Sequence, residues 1–587
     1  MAATETRRPI ATTGSDRPGR AIAQPELLTG AEITCRSLDD EGVTTVFGYP
    51  GGAVIPLYDA LPRSGFHHVL VRFEQWAALA AIGYARVTGK PGVCMATSGP
   101  GATNLVTGLA DAMLDSVPLV AITGQVVQPM IGRDAFQEVD ITGITLPVTK
   151  HNYLVQSAAD IAPTLKEAFY LATSGRPGPV LVDIPKSVFL QKAVYSYPQV
   201  AGRRGYQPTS VPNLRQVRLA ADLINRAEKP LIMAGHGILI SGATEEFAAF
   251  VDRTGIPVIF TLHGLGTFPE SDPMSLGLMG MHGHKHVNDA LDQADVLVNI
   301  GARFDDRATG RVSDFAPNAK VIHVDIDPAE IGKNVPADVP VVGDAREVLK
   351  ALISDVHERR HGQWLGWIDS RRNRGLEAAL ADRPETPEPY TIVKAIAAAT
   401  NGEAIVTTDV GQHQMWTAQH FGFNHPDRWV TSGGLGTMGF GLPSAIGAKI
   451  GRPDLEVWTV VGDGGIQMSL PELATMVQER LNINIACINN GYLGMVRQWQ
   501  DLFHAKNYSE VRITGPDLAK LADAYGMTGI TVRSHEEIEP AIARARSIDG
   551  PVLIDFVIEP EANVWPIVPP GASNSEMMHE ARFAELD

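Results

Sequence analysis

Residues 455–490 restrict what this chain can fold into more tightly than any other stretch. The run from Leu455 to Val461 is apolar and rich in β-branched residues, so it predicts a buried strand that delivers Asp463, within Gly462-Asp463-Gly464, to its carboxyl end. Ser469-Leu470-Pro471-Glu472 has the form of a capping box and predicts a helix running through Arg480. Ile483 to Ile488 reads as the next strand and ends at Asn489-Asn490. Two strands joined by a crossover helix lie parallel, so Asp463 and Asn490 emerge side by side at the sheet edge where α/β proteins bind ligands. A carboxylate and an amide oxygen, with a backbone carbonyl just beyond at Tyr492, form an oxygen-rich set suited to Mg²⁺ rather than zinc. Glycine lets backbone approach phosphate closely. The stretch therefore implies a metal-bound diphosphate.

Strand-like runs alternate with helical patterns along most of the chain, which predicts an α/β fold of doubly wound parallel sheets. Such runs are Val43–Val46, Val93–Ala96, Leu119–Thr123 and Val180–Ile184, then Pro230–Gly235, Val296–Ile300 and Val321–Ile326. At 587 residues the chain is too long for one core. A stretch rich in Gly, Pro, Tyr and Arg at 194–212 reads as a linker, and so does 366–390, a polar, Arg-rich helical pattern followed by Pro384-Glu385-Thr386-Pro387-Glu388-Pro389. They delimit three α/β domains at 25–193, 213–365 and 391–560, followed by a segment at 561–587. Residues 1–24 lack amphipathic period and are expected to be a disordered tail.

The net charge of −17 excludes a nucleic-acid surface, and no Lys/Arg run offers a local exception. No apolar run reaches membrane-spanning length. Cys35, Cys94 and Cys487 are scattered without metal-like spacing, as expected of a protein in a reducing cytoplasm.

Two further patterns bear on the ligand. Thr431 to Gly441 contains a formal GxGxxG from Gly434 to Gly439, which alone would suggest a nicotinamide dehydrogenase. The acid expected about twenty residues on is Asp454, which falls in a turn before the next strand and argues against that reading. Glu74 ends the run Val69–Phe73 and begins a helix continuing through Ala77–Ala81. Its flanks, Gly48-Tyr49-Pro50-Gly51-Gly52 and Ala96 to Asn104, together with the Gly462–Asn490 stretch, resemble the thiamine diphosphate-dependent enzymes.

That resemblance implies three domains, with the first gripping the pyrimidine end of thiamine diphosphate and the third its Mg²⁺-bound diphosphate, from different subunits of at least a dimer. Glu74 would hydrogen-bond the aminopyrimidine as the carboxylic acid of the proton relay, since apolar surroundings favour a transferable proton. Met438 would be the apolar wedge that bends the cofactor. Gly52, Val410, Gly411, Gln412, His413, Gly436, Gly464, Gly465, Gly494 and Met495 would line its path, and Asp463, Asn490 and Tyr492 would hold the metal.

Within that family the chain is most similar to the catalytic subunits of acetolactate (acetohydroxyacid) synthases. Leu278 to Gly283, Gly301 to Arg307, Asp134 to Asp140 and Gly494 to Trp499 carry this closer resemblance. It implies that the middle domain binds FAD, bordered by Gly235, His282, Gly301, Arg303, Asp325 and Asp344. Phe136, Gln137 and Lys186 would line the substrate channel, with Gln137 close to the chemistry. Arg307 would face a keto-acid carboxylate, for which its fork is suited. Trp499 would favour 2-oxobutyrate as acceptor, and Val564–Met578 would fold over the site. The reaction implied is decarboxylation of pyruvate and condensation of the resulting hydroxyethyl enamine with pyruvate or 2-oxobutyrate, the first common step toward valine, leucine and isoleucine. A homodimer or dimer of dimers and a separate regulatory small subunit are expected. The chain departs from many relatives at Trp76, Leu79 and Ile82, on the helix after Glu74. The rivals are a pyruvate oxidase with the same two cofactors, and a catabolic, flavin-free acetolactate synthase.

Overall fold

The computed structural model describes residues 26–372 and 385–579. The expected tail at 1–24 lies outside them, as do residues 373–384 of the second linker. Three six-stranded sheets are present among the described residues, each parallel throughout.

The first sheet runs in the order His67–Leu70, Thr45–Gly48, Gly92–Ala96, Leu119–Gln125, Pro179–Pro185, His151–Leu154. The second runs Ser275–Leu278, Val258–Phe260, Pro230–Ala234, Val296–Ile300, Lys320–Asp325, Val339–Val342. The third runs Trp429–Val430, Ile405–Thr408, Val457–Gly462, Asn484–Asn489, Val552–Val557, Thr528–Val532. Their central strands are buried on both faces, which is why they read as continuous apolar runs rather than alternating ones.

The first and third domains share one core. Helix Glu74–Thr88 lies along helix Gly441–Gly451, and the two touch backbone to backbone where Gly83 meets Ser444 and Gly447 meets Ala80. A Cβ at either glycine would overlap a carbonyl oxygen, so only glycine permits this approach. Trp76, Leu79 and Ile82 are all buried in this shared core, and Trp76 packs on Gly439.

Two local expectations are revised. Ser469 ends a helix, Asp463–Ser469, and its hydroxyl bonds to Ile466 O, so no capping box forms. Glu472 starts a second helix, Glu472–Gln478, and its buried carboxylate instead accepts the Arg72 N–H at 2.6 Å and the Thr475 hydroxyl at 2.7 Å. A partner two residues before Glu74 thus displaced the local cap. The middle-domain boundary at 365 falls inside helix Gly362–Asp369, whose Trp364 and Ile368 are buried with the second sheet.

Candidate active site

Asp463 and Asn490 stand where adjacent parallel strands end, Gly462 pairing with Ile488 one residue before Asp463 and two before Asn490. Burial pushes the Asp463 carboxyl up to about 6, against the N–H groups of Asn490 and Gly491 that favour its charged form. Asn490 is fixed by two bonds: its Oδ1 accepts the Tyr492 N–H at 3.0 Å and its Nδ2 donates to Gln412 Oε1 at 3.2 Å. Among the described residues no cluster of three or more His, Cys, Asp or Glu side chains could hold a metal. A cation here would depend on the single carboxylate supplemented by amide and carbonyl oxygens, a hard set that fits Mg²⁺.

The neighbouring loop explains the glycines. Asp409 directly follows the strand Ile405–Thr408, and its Oδ1 accepts the N–H groups of Val410 at 2.9 Å, Gly439 at 2.6 Å and Phe440 at 3.2 Å. Its Oδ2 is buried without a partner and abuts Gly465, and burial pushes the carboxyl up to about 7. His413 is the second residue of helix Gln412–His420, with its ring against Gly411 and Gly462. Burial lowers this imidazole to about 4, and Nε2 has no protein partner.

The Gln412 side chain is engaged by protein partners. Its amide donates to Gln498 Oε1 at 2.9 Å and Ala562 O at 2.8 Å, so it braces Asn490 against the C-terminal segment. Gly494 approaches the same Gln412 amide so closely that a Cβ there would overlap it. Gly464, by contrast, faces only the methyl ends of Leu493 and Ile513 and the Met438 methyl at 3.9 Å.

A cavity of about 900 Å³ opens between the domains at the carboxyl edge of the second sheet. It is walled by His282, Gly301, Arg303, Arg307, Asp325 and Asp344 of the middle domain, and by Val410, Gly411, Gly436, Met495 and Trp499 of the third. Its volume suits a large organic ligand. It sits where strand order reverses, between Pro230–Ala234 and Val296–Ile300. Gly235 itself does not line the cavity; its amide is tied to Ile300 O, and His236 and Gly237 form the wall instead. Gly237 and Gly301 meet backbone to backbone across the two strand ends.

Burial pushes Asp325 up to about 6, while Asp344 caps the helix Ala345–Asp355. Burial also lowers the His282 imidazole to about 4, and Nδ1 lies 3.1 Å from Pro566 O. Arg307 is open to solvent and lies over the Trp499 ring, 5.7 Å from its centre. The C-terminal segment crosses this wall: Val568 N bonds to Met281 O, Asn574 to Ala308 O, and Gln498 bonds twice to Val564.

Glu74, Gly52, Phe136, Gln137 and Lys186 do not line this cavity. Glu74 is buried at the start of its helix, with Oε2 accepting Asn104 Nδ2 at 2.9 Å and Oε1 beside Gly101. Gly52 is open, Lys186 is half-buried and Phe136 is 89% exposed. Gln137 is held in the left-handed region at φ 60°, its backbone against Gly99. Met438 lies outside the cavity wall, beside Gly464. The GxGxxG segment makes no dinucleotide turn, and Asp454 pairs with Arg452 at 2.9 Å in an exposed turn.

Sequence reasoning missed several residues. Asp409 could have been found, because like Asp463 it follows a β-branched strand, with a glycine two residues on at Gly411. Arg176, which joins Glu330 at 2.9 Å and Asp327 at 3.4 Å at the cavity rim, carries no local signal. Nor do Asp111, Asp115 and His263, which meet the glycine-rich loop from two other domains.

Parallel-sheet domains that end in an Asp–Asn pair and a glycine-lined loop define a thiamine diphosphate enzyme. The family models agree: the N-terminal TPP binding domain of thiamine pyrophosphate enzymes matches residues 28–144, the central domain 217–352 and the C-terminal TPP binding domain 409–556. The chain is 49% identical to the acetolactate synthase large subunit of Corynebacterium glutamicum, covering 98% of this chain and 93% of that one. It is 50% identical to acetolactate synthase of Mycobacterium leprae (94% and 91% covered), and 46% identical to the isozyme 2 large subunit of Escherichia coli (94% and 100%). The chain belongs to the acetolactate synthase family.

Proposed function

We propose that this chain decarboxylates pyruvate and joins the two-carbon unit to a second pyruvate or to 2-oxobutyrate, giving 2-acetolactate or 2-aceto-2-hydroxybutyrate. The observation that carries this reading is the pairing of Arg307 with Trp499, from different domains, on a wall shared with Val410, Gly411, Gly436 and Met495. An exposed guanidinium backed by an aromatic face is suited to a small keto acid, binding its carboxylate while the ring senses its alkyl end.

Thiamine diphosphate supplies the carbanion chemistry when bound. Asp463, Asn490 and the Tyr492 carbonyl would hold Mg²⁺, and the backbone at Gly464 would approach its diphosphate. His413 Nε2, buried without a partner, is available to a phosphate oxygen. Glu74 would hold a proton at the pyrimidine, steadied by Asn104. FAD would occupy the cavity beside Arg303, Asp325, Asp344 and His282, acting as a structural ligand. Phe136, Gln137 and Lys186 would guide substrate.

The reading includes a homodimer, or a dimer of dimers, which the absence of Glu74, Gly52, Phe136, Gln137 and Lys186 from the cavity wall supports. Val127, Met130, Phe136, Leu146 and Leu190 leave an apolar surface on that domain for a second copy. A separate regulatory subunit is expected because no amino-acid-binding domain is appended among the described residues. No helix among them is long and apolar enough to cross a membrane, and three buried free thiols fit a cytoplasmic setting.

The decisive assay supplies pyruvate with and without 2-oxobutyrate, in all combinations of thiamine diphosphate, Mg²⁺ and FAD, and identifies the products. Formation of neither acetohydroxy acid refutes the proposal, and oxygen uptake coupled to pyruvate loss would indicate an oxidase.

A further inference from the structure

The glycine-rich loop 431–441 has two sides. Ser432 to Gly436 form part of the cavity wall, while Met438 and Gly439 face the diphosphate loops. So glycine-rich a segment has few side chains with which to fix itself, and its anchors come from elsewhere. Helix Val106–Leu114 of the first domain ends against it. Asp111 Oδ2 accepts the hydroxyls of Ser432 at 2.6 Å and Thr437 at 2.5 Å. Asp115 accepts the N–H groups of Gly433 at 3.0 Å and Gly434 at 2.7 Å. Ser432 Oγ in turn accepts the Thr437 N–H at 3.0 Å, closing the turn.

All four side-chain anchors, Asp111, Asp115, Ser432 and Thr437, are buried. The middle domain joins at the same point: His263 Nε2 lies 3.1 Å from Asp115, and the buried Arg86 reaches His263 Nδ1 at 3.3 Å and Trp429 O at 3.4 Å. Charge-assisted hydrogen bonds in a low-dielectric junction are the strong kind, and a carboxylate placed there is costly unless it is so used.

We infer that Asp111 and Asp115 are positioning residues of the first domain that set the conformation of the glycine-rich loop, and through it the affinity of both cofactor sites the loop faces. The inference rests on the reading of those sites as thiamine diphosphate and FAD sites. Neither acid acts on substrate; each acts through the loop. Because one loop serves both sites, loosening it weakens both ligands together, whereas an ordinary packing defect lowers stability without that signature.

The test uses the full-length chain stripped of cofactors. Thiamine diphosphate with Mg²⁺ is titrated by quenching of tryptophan fluorescence, FAD by its own fluorescence, and unfolding is followed by thermal denaturation. Thr437→Val removes one loop hydroxyl from Asp111 with little change of volume, and Thr437→Ser restores it. Thr437→Val is expected to weaken both cofactors about tenfold, the factor for one lost bond to a charged group, with Thr437→Ser recovering most of the loss. Ser432→Ala is expected to reproduce the Thr437→Val result. A wild type that binds both cofactors, alongside a Thr437→Val that binds them equally well, overturns the inference alone. So does a Thr437→Ser as weak as Thr437→Val. A wild type that binds neither overturns the functional reading and the inference with it.

Discussion

Gly465→Ala isolates the contact on which the diphosphate clamp is built. An added Cβ would fall within the van der Waals radius of Asp409 Oδ2 and 2.6 Å from its Cγ. Carbon atoms pack at about 3.5–4.0 Å, so the carboxylate has to move by roughly 1 Å. It is not free to do so, because Oδ1 holds the N–H groups of Gly439 and Phe440 across the loop. Overpacking costs about 1–3 kcal/mol and each lost bond about 1 kcal/mol, for a total of roughly 3–5 kcal/mol.

Gly464→Ala is the internal control. Both glycines lie in helix Asp463–Ser469, so the gain in helix propensity, about 1 kcal/mol, is common to the pair. The nearest atoms to a Cβ at 464 are the methyl ends of Leu493 at 2.8 Å, Ile513 at 3.3 Å and Met438 at 3.9 Å, which can turn aside. Urea unfolding should give Gly465→Ala a lower midpoint at unchanged slope, with Gly464→Ala near wild type. In an Asp409→Ala background the Gly465→Ala penalty should largely vanish, because the obstructing carboxylate is gone. Equal midpoints for the two alanine variants, or strict additivity with Asp409→Ala, would refute the reasoning.

Glu74→Gln keeps the Asn104 contact in shape but cannot relay a proton; kcat should fall ~10²–10⁴-fold, roughly 3–5 kcal/mol of barrier, and a loss under tenfold would remove Glu74 from the relay. Arg307→Ala should raise KM for keto acid, and Trp499→Leu should shift the product ratio of a pyruvate and 2-oxobutyrate competition toward acetolactate; an unchanged ratio would place the ring outside the acceptor site. Burial lowers His284 to about 3, His286 to about 4 and His420 to about 3, with neighbouring positive charge adding to it. Their unfolded value is about 6.5, so above it both states are neutral, and between 6.5 and 4 only the unfolded chain takes up the proton. Stability should therefore fall with pH across that window by ~1.4 kcal/mol per unit for each histidine. Buried Asp183, Asp409 and Glu270, each raised to about 7, act in the opposite sense. The diagnostic is thus the difference between wild type and His420→Gln, whose unfolding midpoint should depend less steeply on pH; identical slopes would count against it.

The sequence by itself determined the elements and the chemistry each one carries. Buried parallel strands have to be apolar on both faces, so Val296–Ile300 and its counterparts were legible without any partner. Asp463 and Asn490 were legible too, because a strand, a crossover and a strand leave their ends no choice but to be neighbours. Tertiary structure decided what long-range contacts control. It sent Glu472 to Arg72 instead of to a local cap, engaged Gln412 as a brace for Asn490, and placed His236 and Gly237 rather than Gly235 on the cavity wall. It also brought Asp111 and Asp115 to a loop more than three hundred residues away in sequence. Local spacing encodes the period of a strand or helix. It does not encode which buried carboxylate will meet which stray N–H, because that depends on how three separately legible sheets pack on one another.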